Sequence, residues 1–334
     1  MKRKLRVGFP RISTRGGPEI FMRLLYDSFI KNRVASPRSC FLPWYDLGLF
    51  KSVARNFYNK PYVLRVDGIY YHNTQSNPSS EQLNLPIKKS LAGADGVIFQ
   101  SNFSKALIEH QFGKLQCKST IIRNGTLLQP ILGKMALRKE LSLPLDRKLI
   151  IAVAEWRRHK RLEEIIQIVG KLNQIDKQFG LIIVGDTPPV TNPDFIFPVG
   201  RVDHANLFKY YQSSDLCLHL CWLDNCPNTV VEAIANNVPV VCSNQGGTRE
   251  MVEVATAGIV SECDKDIEYD KVDLNNPPTV DIDKLVQDVL KLFSNYEYYK
   301  NRIKRDIVDI DCIAQKYMDF MQEIWTGNNL GRKL

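Results

Sequence analysis

The chain has 334 residues, enough for two domains with full cores, and its apolar (44%) and charged (24%) fractions are those of a globular protein. No apolar run has the length of a membrane span, the start MKRKLRVGFPR lacks a signal peptide's apolar stretch, and eight scattered cysteines fit a reducing interior, so a cytoplasmic protein is expected. The net charge of +9 points to anionic partners, and with no nucleic-acid motif or aromatic-laced basic stripe the favoured partner is a phosphate-bearing small molecule, not nucleic acid.

Leu5 to Phe9 reads as a buried strand, followed by the loop RISTRGG and a helix opened by Pro18-Glu19, with Ile20, Phe21, Leu24, Leu25 and Phe29 at helical spacing. A strand, a Gly-rich loop and a helix let backbone N–H groups approach a phosphate closely. The Gly16-Gly17 pair lacks the rest of a dinucleotide fingerprint and the lysine of a P-loop, so neither motif is assigned. Strands follow at Tyr62–Val66, Gly96–Gln100 and Ser119–Ile122, with a helix at Phe103–Phe112, while SNPSSEQLN (76–84) reads as a polar loop. The alternation predicts a parallel sheet covered by helices. A boundary is expected within Gln129–Arg147, where Pro130, Gly133 and Pro144 punctuate a basic segment.

A second β/α series starts at Lys148–Ala154. Its strands are nearly unbroken apolar runs, the pattern of a sheet buried on both faces. The helix after it carries Leu162, Ile165, Ile166, Val169 and Leu172 on one face; strands are expected at Leu181–Val184, Phe195–Val199 and Leu216–Leu220. Glu262–Pro278 is acidic and polar, as on a surface excursion, and helices close the chain at Leu285–Phe293 and Ile310–Ile324.

Between these lies LDNCPNTVVEAIANNVPVVCSNQGGTRE, from Leu223 to Glu250. Asp224 falls in a loop, Glu232 in a short helix, and a buried strand and Gly246-Gly247 follow. Pro227 suits the helix's first position, and Asn236-Asn237 suits its end because Asn tolerates a left-handed turn. Two acids around a helix N-terminus, with its free N–H groups and positive dipole end, make a site for a diphosphate ester. Cys217, His219 and Cys221 alternate along one strand, but a packed strand rarely offers tetrahedral ligation, so no metal is expected there. Asp281-Ile282-Asp283 and Asp309-Ile310-Asp311 precede amphipathic helices and read as caps, not as metal ligands.

In order and spacing, IIRNG (121–125), VAEWRRHKRLEEII (153–166), LIIVGD (181–186), FPVGRVDHANLFKYYQSSDLCLHL (197–220), the two acids Asp224 and Glu232, and PVV-x(4)-GG-x-x-E from Pro239 to Glu250 resemble the retaining nucleotide-sugar glycosyltransferases of family 4. The resemblance is densest from Ile150 to Val260. It implies an α/β GT-B fold: a Rossmann-like acceptor domain over 1–138, a Rossmann-like nucleotide-sugar domain over 145–308, a cleft between them, and a last helix (310–330) packing back on the first domain. It also implies metal-independent transfer, without a cofactor, from a UDP- or GDP-sugar to a hydroxyl of a glycan or glycolipid.

Carried over residue by residue, the resemblance makes Lys160 and Arg157, with Asp224, the catalytic set. Gly16, Gly17, Arg158, Gly185, Asn225, Cys226, Asn228, Thr229 and Glu232 become the nucleotide-sugar contacts. Lys160 with Arg157 or Arg158 clamps the diphosphate, Glu232 takes the ribose hydroxyls, and Asp224 faces the donor sugar. Three features depart from the family pattern. Asp224 stands where Glu is usual, Asn225-Cys226-Pro227 replaces Gly-Phe-Gly, and Asp67, with His72 beyond it, lies near the expected place of a donor-site histidine, where a turn at Asp67-Gly68 is the structural alternative. Two other readings stay open: a degenerate GT-B module that binds a nucleotide or a protein, and a GT-B epimerase or phosphorylase-like enzyme. Lys2, Arg3 and Lys4 and the basic 300–305 segment leave peripheral membrane contact open.

Overall fold

A computed structural model of the chain describes residues 4–13, 16–55, 58–71, 79–186 and 194–331, the last three of these without side chains. His72, Lys2 and Arg3 lie outside the described residues. The chain divides into two compact units: Met1–Leu127 with Tyr269–Lys271 and Ile307–Leu334, and Leu128–Glu268 with Val272–Asp306.

The first unit begins with β1 (Arg6–Phe9), α1 (Gly17–Lys31), β2 (Ser36–Ser39), β3 (Leu47–Lys51) and β4 (Tyr62–Arg65). It continues through α2 (Ser80–Ala92), β5 (Gly96–Phe99), α3 (Asn102–Phe112) and β6 (Lys118–Ile121). Its six strands are all parallel in the order β2-β1-β3-β4-β5-β6. Val7, Phe9, Leu47 and Leu49 form one core with Phe21, Leu25 and Phe29 of α1. Sequence patterning misses β2 and β3. The first reads SPRS, a short edge strand with a proline and no apolar alternation.

The expected loop at 76–84 is corrected: Ser79 caps α2, accepting from the Gln82 amide while the Gln82 side chain accepts from the Ser79 amide. Such a reciprocal Ser-x-x-Gln box is a helix start, and Ser80–Asn84 are its first turn.

The second unit runs through α4 (Lys134–Glu140), β7 (Lys148–Val153), α5 (Leu162–Ile175), β8 (Phe179–Val184), β9 (Ile196–Gly200) and α6 (His204–Ser213). Then come β10 (Leu216–His219), α7 (Asn228–Ala235), β11 (Val240–Ser243), α8 (Gly247–Val254), β12 (Gly258–Ser261), α9 (Ile282–Ser294) and α10 (Tyr296–Lys300). Six parallel strands again form one sheet, in the order β12-β11-β10-β7-β8-β9. The wall-to-wall burial of Phe179–Val184 and of Leu216–His219 explains why these strands read as continuous apolar runs.

The chain then returns to the first unit in α11 (Ile310–Gly331). Ile313, Tyr317, Phe320, Met321 and Ile324 of α11 share the core of β1 and α1. The two Asp-Ile-Asp runs sit at helix starts: Asp281 accepts from the Lys284 amide, and Asp309 from the Asp311 amide. The 262–278 segment is only partly a surface excursion, since Val272 and the Asp264 side chain are buried.

Candidate active site

The second unit collects its polar groups at the carboxyl ends of β7, β8 and β10, where parallel sheets present their ligand-binding loops. After β7 the backbone makes a single 3-10 turn (Arg158–Lys160), and Arg161 adopts the left-handed conformation (φ 58°) to start α5. Arg161 is fully buried and holds this corner. Its guanidinium donates to both oxygens of Asp264 (2.8 and 2.6 Å) and to the carbonyls of Leu220 and Pro278 (3.3 and 2.9 Å). A second tie is the Trp222 amide, which donates to the His159 carbonyl at 2.9 Å. The loop after β7 is thereby pinned to the loop after β10.

That pinning delivers Lys160 to Asp224. The Lys160 ammonium donates to Asp224 Oδ2 at 2.9 Å, and Cys221 Sγ lies 3.7 Å from the same oxygen. About a fifth of each charged side chain stays open to solvent (20% and 23%). Burial works against the charge on both. It is outweighed by their mutual attraction, so the Lys160 pKa is raised and that of Asp224 lowered, and the pair is ionised at neutral pH. His159 and His219 are pushed down to about 4, chiefly by burial, so both are neutral.

Asp224 is fixed from behind by the Gly-Gly loop. Its carbonyl accepts from the Gly247 amide at 2.7 Å, and a Cβ on Gly246 (φ 83°) would stand 2.9 Å from that carbonyl oxygen. Only glycine fits there, in both φ and space. Gly185, at the end of β8 with φ 111°, is equally constrained, because a Cβ would run into the Ala154 carbonyl. Its amide donates to the Gly200 carbonyl at 2.8 Å.

The helix after Asp224 departs in one detail from expectation. Pro227 is the capping residue, extended at φ −69° and ψ 125°, and Asn228 is the first helical position. At the other end Asn236 is the cap and Asn237 the left-handed residue (φ 58°). Glu232 lies on this helix, 8% exposed, with Oε1 3.1 Å from His204 Nε2 and Oε2 3.3 Å from the Tyr211 hydroxyl. That hydroxyl is also 2.9 Å from the Thr229 carbonyl, and the Thr229 hydroxyl is 3.4 Å from His219 Nδ1. Hydrogen bonding to Glu232 raises the His204 pKa.

The sequence-derived residues therefore divide. Lys160, Asp224, Asn225, Cys226, Asn228, Thr229 and Glu232 share one loop-and-helix corner; Cys226 is buried, while Asn225, Asn228 and Thr229 are half-buried. Arg157 pairs with Glu155 on the exposed surface (3.2 Å) and Arg158 with Glu164 (2.7 Å); neither is hydrogen-bonded to Asp224 or Glu232. Gly16 and Gly17 belong to the first unit, where the Gly16 carbonyl accepts the Glu19 and Ile20 amides at the start of α1. Asp67 is held by Arg65 and by Gln100 (2.7 Å).

Sequence reading missed His204 and Tyr211 as partners of Glu232, and Arg161 as the clamp. A single signal existed for Arg161: an arginine directly before an apolar helical run, with an aspartate in a polar segment a hundred residues on. Among the described residues, donor atoms of His219, Cys221 and Asp224 lie within 4.8 Å of one another, a potential three-ligand cation set that excludes Cys217. The Lys160 ammonium is already seated on its carboxylate.

Part of the chain is similar to known glycosyltransferases. Residues 134–271 match the family model described as Glycosyl transferases group 1. The chain is 31% identical over 203 residues to the Putative teichuronic acid biosynthesis glycosyltransferase TuaC of Bacillus subtilis (strain 168), covering 57% of this chain and 49% of that protein. It thus spans about half the length of that curated relative. Among solved structures it is similar to sucrose-phosphate synthase from Thermosynechococcus elongatus, with TM-score 0.75 at 16% identity, covering 97% of this chain and all of that one. It is also similar to Anabaena Alr3699/HepE in complex with UDP, with TM-score 0.69 at 14% identity over 96% of this chain and all of that one. The two parallel six-stranded sheets with their helices are the GT-B fold of glycosyltransferase structures. The family match spans Lys160, Asp224 and Glu232.

Proposed function

We infer that the protein is a retaining glycosyltransferase that moves a sugar from a UDP- or GDP-sugar to a hydroxyl of a glycan or glycolipid acceptor, without a metal ion. The observation that carries this reading is the Lys160–Asp224 pair beside the start of α7, with Glu232 on the same helix. Lys160 holds a positive charge where a leaving diphosphate needs one, and fixed charge aimed at developing charge is a major catalytic contribution. Glu232 has an ionisable carboxylate oriented by His204 and Tyr211, suited to accept from two ribose hydroxyls. Arg157 and Arg158 exchange their glutamate partners for phosphate oxygens, and Asp224 accepts from a sugar hydroxyl once Lys160 turns to the diphosphate.

In the step itself, the bond between the anomeric carbon and the diphosphate oxygen breaks while the acceptor oxygen forms its bond on the same face. The acceptor proton passes to the departing phosphate. The products are a nucleoside diphosphate and a glycoside of unchanged anomeric configuration, and no protein nucleophile is needed. The similarly folded Anabaena Alr3699/HepE in complex with UDP-glucose supports the donor class.

A thermal-stabilisation screen of UDP-, GDP- and ADP-sugars identifies the donor, since a ligand bound only by the folded state raises its midpoint. Glu232→Ala is expected to raise the donor KM about tenfold or more, the loss of a charged hydrogen bond. Unchanged steady-state kinetics in both Glu232→Ala and Lys160→Ala would overturn the assignment. Chelation tests metal independence: activity lost on EDTA treatment and restored by zinc would instead give the His219, Cys221 and Asp224 set a catalytic cation.

A further inference from the structure

The first unit holds a cavity of about 560 Å³ at the carboxyl ends of β1 and β2, beside α1, within the range of small-molecule sites. Its walls are apolar and aromatic: Phe9, Ile12, Tyr26 and Phe41. Its charged lining is one-sided, Arg11, Arg23 and Arg38 against Asp27 alone. Among the described residues none of these three guanidiniums forms an ion pair. Arg23 donates to the Ser13 carbonyl (2.9 Å) and Arg38 to its neighbour Pro37 (3.1 Å), which spends one N–H of each and leaves others in the fork.

The apolar wall continues outward. Phe41, Leu42 and Trp44 are 49%, 49% and 65% exposed, and the Tyr58 hydroxyl pins this strip by donating to the Phe41 carbonyl at 2.7 Å. Three exposed apolar side chains in four positions, bordering an arginine-lined hole, are more than the single scattered hydrophobics of an ordinary surface.

We propose that this cavity binds an amphiphilic phosphate monoester, with the phosphate on Arg11, Arg23 and Arg38 and the hydrocarbon along Ile12, Tyr26 and Phe41 and out over Leu42 and Trp44. Guanidinium forks match phosphate oxygens two at a time, and three of them facing one lining aspartate favour a doubly charged group over a carboxylate. The apolar wall excludes free inorganic phosphate as the whole ligand, because it would leave that surface wet. The site is independent of the nucleotide-sugar reading, and the two fail separately.

Calorimetric titration of the full chain with octyl phosphate, octyl glucoside and inorganic phosphate, each below its micelle concentration where one exists, tests the assignment. Octyl phosphate is expected to bind at least ten times more tightly than either of the others. The double variant Arg11→Gln/Arg38→Gln should weaken it tenfold or more. Phe41→Ser should weaken octyl phosphate several-fold and leave inorganic phosphate unchanged. Arg11, Arg38 and Phe41 are exposed, so the variants fold, and an unchanged urea-unfolding midpoint verifies it. Octyl phosphate binding no tighter than octyl glucoside, or with full affinity in the arginine double variant, overturns the proposal.

Discussion

Each unit of the molecule contains one fully buried arginine behind the carboxyl edge of its sheet, and the two do different work. Arg65, at the end of β4, pairs with Asp67 two residues away, donates to Asn124 at 2.9 Å and lies 4.5 Å above the Phe21 ring. Arg161 reaches Asp264, over a hundred residues on, and has no aromatic support of that kind. Arg65 thus ties a local segment from within a core, whereas Arg161 is seated on a fully buried carboxylate and sets the position of the loop carrying Lys160. A buried charge pair costs desolvation on both partners, so its retention is better explained by placement than by net stability.

The comparison can be broken by experiment. Arg161→Met strands the Asp264 carboxylate and is expected to cost roughly 3–5 kcal/mol in urea unfolding. Arg65→Met should cost less, because Asp67 keeps its hydrogen bonds with Gln100 and with Ser52. Equal losses would mean that the two arginines are energetically alike. On the functional side, Lys160→Ala is expected to lower kcat by about 10²–10³, a barrier of roughly 3–4 kcal/mol, measured in single-turnover assays with saturating donor.

Acid provides a third test. The folded-state pKa of His219 lies below the ordinary 6.5, at about 4, because burial favours the neutral ring. Its contribution is therefore complete above pH 6.5 and is lost as the pH falls from 6.5 towards 4, roughly 3 kcal/mol in all at ~1.4 kcal/mol per pKa unit. Urea unfolding at pH 7.5 and 4.5 should show this loss in the natural chain and a smaller one in His219→Gln. His204 carries the opposite sign and the smallest effect. Its raised pKa means that the pairing with Glu232 stabilises fully below pH 6.5 and is lost as the pH rises through the folded value. With 36% of the side chain exposed, the difference between the natural chain and His204→Gln should stay under about 1 kcal/mol at pH 6 and shrink as the pH is raised.

The second unit was the more legible in sequence because its strands are buried on both faces and its loops carry motifs of fixed spacing. Asp224 and Glu232 can be singled out from one short stretch, and Lys160 from a separate motif 64 residues earlier. Their orientation cannot, because it depends on partners distant in sequence: Arg161 on Asp264, Glu232 on His204 and Tyr211. In the first unit, β2 was invisible because SPRS has no apolar period, and the start of α2 was read as loop because its polar Ser-Ser-Glu-Gln is a capping signal that resembles a linker. The cavity near β2 was equally hidden. Its arginines are far apart in the chain and are gathered only by the β1–α1–β2 turn of the fold.

The return of α11 into the core of β1 and α1 has a consequence for synthesis. Ile313, Tyr317 and Phe320 are made near the end of the chain, whereas the strand and helix they cover are made at its start. Phe21 and Leu25 of the first unit therefore stay uncovered until the last helix has left the ribosome. The first unit, though begun first, is completed only when synthesis ends, and its open core is exposed to chaperones and proteases until then.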